Sequence, residues 1–289
     1  MMSPTLRGSL AACLGIACIT SSDAITKALA AGLPAGQIVA LRGVLAIPLV
    51  ALLAFALARG GWLAALRPRD WRANLLRNGI IAGHSVMVVL SLSVMPLAEA
   101  LALIFLSPLV ALPMAQAWLG ERAGWARYGC VALGFCGAAL VLAPGGALPG
   151  WHALIPLATA VSSALVDITT RYAARTEPAL PLLMGTMVGQ ALFGGALSGV
   201  TGTVAPTELQ WLGLLGCAAL MSAFHWFSIM SLRLADVGTV APLRYFGLVW
   251  AAVLGFVFWG DVPLPVTFMG AGLIVLAGVL NLRLSLKRE

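Results

Sequence analysis

Apolar runs of about 20 residues recur ten times along this chain, near 6–30, 35–58, 74–94, 97–118, 125–143, 151–172, 179–200, 210–232, 237–259 and 264–283. A bilayer core about 30 Å thick takes about 20 residues of helix to cross, and inside it every backbone polar group needs a partner within the chain. The runs therefore predict an all-α polytopic membrane protein with ten transmembrane helices. Composition agrees: 61% of the 289 residues are apolar and 9% are charged, against about 25% charged in a soluble domain. The connections are short, several carry Pro or Gly (Pro34, Pro144, Gly145, Pro263), and none could hold a soluble domain. Arg7, the apolar run behind it and Ser22 to Ala24 also fit a cleavable signal peptide. Against that, the same segment reappears inside the chain.

Orientation follows from the basic residues, which collect on the cytoplasmic side of a membrane. With a cytoplasmic N-terminus, the inner side gathers Arg7, Arg59, Arg67, Arg69, Arg72, Arg77, Arg122, Arg127, Arg171, Arg175, Arg233, Arg283, Lys287 and Arg288. These are 14 of the 17 Lys and Arg residues; Lys27, Arg42 and Arg244 fall within spans, and no outer loop holds any. A miscounted span would mix the two sides, so both termini are expected in the cytoplasm. The net charge of +7 is scattered between apolar runs and forms no basic face for nucleic acid. Cys13, Cys18, Cys130, Cys136 and Cys217 lie in apolar stretches without a CxxC pair, and read as packing residues.

The spans form two sets of five. Asp23-Ala24-Ile25-Thr26-Lys27 matches Asp167-Ile168-Thr169-Thr170-Arg171, each an acid four residues before a base near the end of a span. Trp118-Leu119-Gly120-Glu121 matches Trp259-Gly260-Asp261, and Gly129 and Gly137 in the span that follows answer Gly270 and Gly278. Residues 1–147 and 148–289 thus read as two copies of one five-helix unit. Five is odd, so the second copy enters from the opposite side. Such inverted repeats are common in secondary transporters, with substrate sites near the midplane between the halves.

On these residues the chain resembles the EamA family of the drug/metabolite transporter superfamily. The signals are Leu106-Ser107-Pro108 through Leu119-Gly120-Glu121-Arg122, and Ala241-Pro242-Leu243-Arg244-Tyr245 through Trp259-Gly260-Asp261. Asp261 stands where Glu is commoner. The resemblance implies a multi-pass protein of the bacterial inner membrane, with a central cavity for amino acids, vitamins, nucleotide-like metabolites or drugs. Asp23, Lys27, Gln37 and Arg42 look like members linked to riboflavin or S-adenosylmethionine uptake, and the substrate stays open.

Charges inside the spans are the candidate functional residues. A charged side chain at mid-span costs about 2.5–3.5 kcal/mol to insert, so Asp23, Arg42, Asp167 and Arg244 together cost roughly 10–14 kcal/mol if they face lipid. They are expected to face one another or a wet cavity, as binding or gating groups or as interhelical ties. Asp23, Arg42, Lys27 and Glu99 fall toward the outer side; Asp167, Arg171 and Arg244 fall toward the inner. Between them lie His84, His225, Trp226 and Trp250, with Tyr245 beside Arg244. The histidines are candidate proton carriers or hydrogen-bonding ties, and the tryptophans are pocket wall or packing. The other Trp residues sit mostly at span ends, as an aromatic belt. Pro108, Pro113 and Pro242 are expected to kink their spans. Cys130, Gly134 and Ala138 make a small-residue face, for span 10 or for a second copy in a homodimer.

Transport is the expected function, with a small-molecule substrate, lipid around the chain, protons as a candidate coupling ion, and a monomer or homodimer. The alternatives are a channel, a structural subunit or an intramembrane enzyme. Rings of one charge sign would mark a pore, and the charges here alternate in sign. No catalytic residues, metal ligands or cofactor are expected: HExxH, Gly-x-Ser-x-Gly and Walker motifs do not occur.

Overall fold

A computed structural model describes residues 3–58, 61–94, 103–104, 106–121, 124–142, 151, 154–259 and 265–286. Its long helices are α1 (Pro4–Ala30), α2 (Ala35–Leu57), α3 (Trp71–Val94), α4 (Ser107–Leu119), α5 (Trp125–Leu142), α6 (Leu154–Thr176), α7 (Ala179–Thr201), α8 (Glu208–Leu234), α9 (Phe246–Trp259) and α10 (Pro265–Leu286). No strand occurs among the described residues. By length and composition alone, α1, α2, α3 to Ser91, α7 and α8 are apolar enough to cross a membrane. Helix α6 is less apolar because it carries Asp167 and Arg171 and is wrapped by α3, α4 and α8.

Local chemistry sets the helix ends. Ser3 accepts from Leu6 N–H ahead of Pro4, Thr207 and Gln210 form a reciprocal capping box, and α4 stops at Gly120, whose φ of +67° suits glycine. The ninth span, expected as one helix over 237–259, is broken. A single turn, Val237–Val240, runs into a 3₁₀ turn, Ala241–Tyr245, before α9 begins. Pro242 has no N–H for the ladder, and the chain closes into a tighter turn instead. In the fourth span, 95–102 lies outside the described residues, and Pro108 sits in the first turn of α4 with Pro113 inside it.

The bundle turns its polar residues inward. Thr26, Gln37, Arg42, Arg77, Asn78, Asp167, Thr186, Gln190 and His225 are buried, while Leu52, Phe55, Leu192, Val200, Leu209 and Phe268 are exposed. That inversion of the soluble pattern suits a solvent of lipid, where small and polar contacts join helices. Trp118, Trp125, Trp151 and Trp211 are exposed near helix ends, as an aromatic belt requires.

Helix packing follows a pattern that is its own exchange partner. α1 packs on α8, α3 on α6 and α7, α2 on α7 and α8, α4 on α6, α9 on α1, and α5 on α10. Exchanging each helix for the one five places away maps this pattern onto itself. The α2–α7 crossing shows it at atomic detail. A Cβ on Gly43 would stand 2.6 Å from Ala191 N and 2.9 Å from Met187 O; one on Gly194 would meet Ala40 N and, at 2.8 Å, Gly36 O. Ala40 and Ala191, like Gly36 and Met187, hold the same place relative to each other as Gly43 and Gly194 do. These two helices run antiparallel with their backbones in contact. The small face of α5 is covered within the chain: Gly137 lies against Gly270 O, and Gly134 against Tyr245 and Ala277.

Candidate functional site

A cavity of about 690 Å³ opens within the bundle, lined from α1, α2, α3, α6, α8 and the segment around Arg244. Of the charged and histidine candidates, Asp23 and Lys27 reach it from α1, Arg42 from α2, His84 from α3, Asp167 from α6, His225 from α8, and Arg244 from the 3₁₀ turn before α9. The rest of the wall is mainly apolar, with Ile16, Ile81, Val88, Met221 and Phe224. Lys27 and Ala28 are exposed and line the cavity, so it reaches the surface at the end of the bundle away from the chain termini. Toward the terminus-bearing end its wall residues Ala12, Ser231 and Val240 are buried.

The two ends of the cavity differ electrostatically. Asp167 accepts from Arg244 through both carboxylate oxygens, Nη2 to Oδ1 at 2.5 Å and Nε to Oδ2 at 3.2 Å. Such a forked pair fixes direction as well as distance. The 3₁₀ turn at Pro242 is what brings Arg244 to face α6. Asp23, by contrast, makes no ion pair among the described residues, although Arg42 is near enough to act on it electrostatically. Arg42 is 4% exposed and donates from Nε to Gln190 Oε1 at 3.2 Å. Gln190 Nε2 in turn lies 3.2 Å from His225 Nε2, and His84 Nδ1 lies 2.8 Å from Ser162 Oγ.

Below the cavity the terminus-bearing end is tied across several helices. Arg171 pairs with Glu121 at 3.1 Å and donates to Leu232 O, while Glu121 Oε2 accepts from Val237 N–H at 2.9 Å. Arg127, at the start of α5, pairs with Asp236 at 2.7 Å, and Arg233 donates to Ala174 O at 3.2 Å. All three ion pairs of the described residues lie between mid-bundle and this end.

The remaining candidates fall elsewhere. Arg171 stands off the cavity, in the tie just described. Trp226 packs with Ala46, Val50 and Leu183, and Trp250 donates from Nε1 to Ser21 Oγ at 3.1 Å, joining α9 to α1. Neither lines the cavity. Tyr245 is buried against Ala138, Leu248 and Ile274. Glu99 lies outside the described residues.

Two residues passed over in the sequence matter here. Gln190 holds Arg42 and His225 at once; a lone amide in an apolar span was the available signal. Arg77, expected at the inner surface, is fully buried, with Thr170, Thr186, Asn78 Oδ1 and Leu182 O around its guanidinium.

Similarity to known proteins agrees with this geometry. The EamA-like transporter family matches residues 6–143 and again 150–283. A riboflavin transporter of Rhizobium johnstonii is 29% identical over 228 residues, 78% of this chain and 75% of that one. A pseudopaline exporter of Pseudomonas aeruginosa is 26% identical over 271 residues, 93% and 94% of the two chains. An S-adenosylmethionine uptake transporter of Rickettsia bellii is 26% identical over 185 residues, 64% and 63% of the two. A protein of known crystal structure shares the fold with a TM-score of 0.81 at 23% identity, over 99% of this chain and 98% of that one.

Proposed function

The chain belongs to the EamA-like transporter family, and from that premise we propose that it carries a small organic metabolite across the bacterial inner membrane by exposing the central cavity to each side in turn. The observation that supports this best is the contrast between the two acids of the repeat. Both line one cavity, Asp167 locked to Arg244 and Asp23 without an ion pair among the described residues. An ion pair made in one state and broken in the other biases the equilibrium by its differential energy.

In this reading, residues 1–147 and 148–289 are the two repeat units, with both termini in the cytoplasm. The conformation described here is open to the periplasm. Asp167–Arg244 closes the inner side, aided by the Arg171–Glu121 tie beneath it, and Asp23, Arg42 and Lys27 close the outer side in the alternate state. Protons are the coupling ion, since Asp23, His84 and His225 give the cavity three groups able to exchange them. The relatives named for riboflavin, S-adenosylmethionine and pseudopaline bracket the substrate class: polar metabolites larger than a free ion.

The test is flux in proteoliposomes containing the purified full chain. The panel is labelled riboflavin, riboflavin 5′-phosphate, pantothenate, S-adenosylmethionine and the common amino acids, each with and without an inward proton gradient. Saturable uptake of at least one compound over empty vesicles, stimulated by the gradient, is the expected result. No protein-dependent flux of any compound would remove the transport assignment, and flux indifferent to the gradient would remove the proton alone.

A further inference from the structure

We infer that Arg42 selects the cargo, and that the cargo carries an anionic group, a carboxylate or a phosphate, which the Arg42 guanidinium receives inside the cavity. This rests on the transport reading of the same cavity and narrows it to a chemical class.

Arg42 differs from the other arginines of the interior. Arg127 is paired with Asp236, and Arg244 uses Nε and Nη2 on the two oxygens of Asp167. Arg77 stands off the cavity, with Nε and Nη1 satisfied by Thr170, Asn78, Leu182 and Thr186. Among the described residues Arg42 has one hydrogen-bond partner, Gln190, on Nε. Its Nη1 and Nη2 have no partner among the described residues, yet they are not among the nitrogens sealed without a partner, so they open onto the cavity. Gln190 is itself held by His225, which fixes the plane of the fork. A buried guanidinium with two aligned free donors is a receptor for a planar carboxylate or a phosphate. Left empty, it feels the charge of Asp23 nearby but has no ion pair among the described residues to engage its fork.

The charge balance agrees. Lys27, Arg42 and Arg244 against Asp23 and Asp167 give the cavity a net charge of +1. Arg244 and Asp167 cancel, so the surplus lies at Arg42 and Lys27, nearer the open end. One carboxylate brings the occupied site to neutrality, and a phosphate monoester, with a charge of about −1.5 to −2, takes it slightly negative. Asp23 is acceptor-only when ionised, so the same cargo presents a hydrogen-bond donor on its other side. A neutral molecule offers the Arg42 fork carbonyl or hydroxyl oxygens as acceptors, but no charge to set against the guanidinium.

Matched probes differing in one group test this on the purified full chain, by thermal shift in detergent. Riboflavin 5′-phosphate is set against riboflavin, and pantothenate against panthenol. The expected result is that one anion at about 1 mM raises the melting temperature and its neutral partner does not; which anion does so separates phosphate from carboxylate. Loss of a charged hydrogen-bonding partner is worth about tenfold or more in affinity. The shift should therefore vanish in Arg42→Gln, and in Arg42→Lys, which keeps charge without the fork, affinity should fall severalfold. Equal shifts from neutral partners, an anion shift that survives Arg42→Gln, or no shift from either anion would overturn the proposal. If Arg42→Gln cannot be purified, unchanged affinity in Arg42→Lys overturns it. Vesicle flux of riboflavin without preference for anions would sink the cargo class and leave transport standing; absence of all flux would sink transport itself.

Discussion

Asp23 in α1 and Asp167 in α6 both face the cavity, and among the described residues Asp167 alone of the two is paired with an arginine. Asp167 is 3% exposed and its carboxylate is forked to Arg244, whereas Asp23 is half-buried and faces the cavity. The arginine near Asp23 comes from α2, whereas Arg244 comes from the 3₁₀ turn ahead of α9. Two matching acids are thus held in different ways, and under the proposed alternation that difference should reverse between the two states.

Removing the locked acid should move the balance. Asp167→Asn keeps the shape and loses the charge, so opening toward the terminus-bearing side should be favoured. At about 1–2 kcal/mol of differential energy the population changes by about 5–30-fold. A cysteine at Ser228, which lines the cavity, reports it through an impermeant thiol reagent. Labelling from the cytoplasmic side should rise in Asp167→Asn and fall in Asp23→Asn, with transport slowed in both. Equal labelling in both and in the parent, with normal transport, would leave these charges as helix ties only.

Bulk at the α2–α7 crossing should be costly. Gly43→Val and Gly194→Val each force side-chain carbon into the facing backbone, and overpacking of this kind costs about 1–3 kcal/mol or more. Both should lower the melting temperature by similar amounts because their surroundings match. Gly199→Val, where a Cβ meets nothing within 4 Å, is the control. An unchanged melting temperature in either crossing variant would contradict the packing.

Topology is tested with single cysteines in a cysteine-free background. Thr203, in the exposed connection after α7, should label in intact cells, and Arg69 and Arg175 should label only after permeabilisation. The reverse pattern would invert the chain.

The turn between α8 and α9 should be acid-sensitive. Burial pushes the Asp236 carboxyl up, but hydrogen bonds from Thr239 and Arg127, with the Arg127 charge, outweigh it and hold the group below the usual carboxylate range. A depressed acid stabilises the fold above its unfolded value, about 3.9, and loses that contribution as pH falls through the folded value. Between about pH 5 and pH 3 the wild-type melting temperature should drop more steeply than that of Asp236→Asn. Parallel curves would show that the pair contributes nothing.

Much of this was legible in the sequence, for physical reasons. Span length, the one-sided basic residues and the insertion cost of charges each leave a mark that survives without coordinates, and they led to the ten helices and to Asp23, Arg42, Asp167 and Arg244. Facing was not legible. In a membrane helix both the lipid side and the packed side are apolar, so periodicity could not say that Trp226 packs into the bundle or that Trp250 turns to Ser21. Nor could a count of loop charges separate Arg77, wholly buried, from Arg72 one turn earlier and exposed. The break before α9 was marked by Pro242, but its outcome, a 3₁₀ turn that aims Arg244 across at α6, depends on partners distant in sequence.

The backbone contact at Gly43 and Gly194 has a consequence for measuring motion. Two helices that touch main chain to main chain leave no side-chain layer to slide through, so this crossing is expected to stay fixed while the cavity changes the side to which it opens. Spin labels or fluorophores on α2 and α7 close to it should keep one separation in every state. Pairs placed toward either end, such as Lys27 with Thr203 or Arg69 with Arg233, should change in opposite senses. The crossing thus supplies the protein with its own fixed ruler.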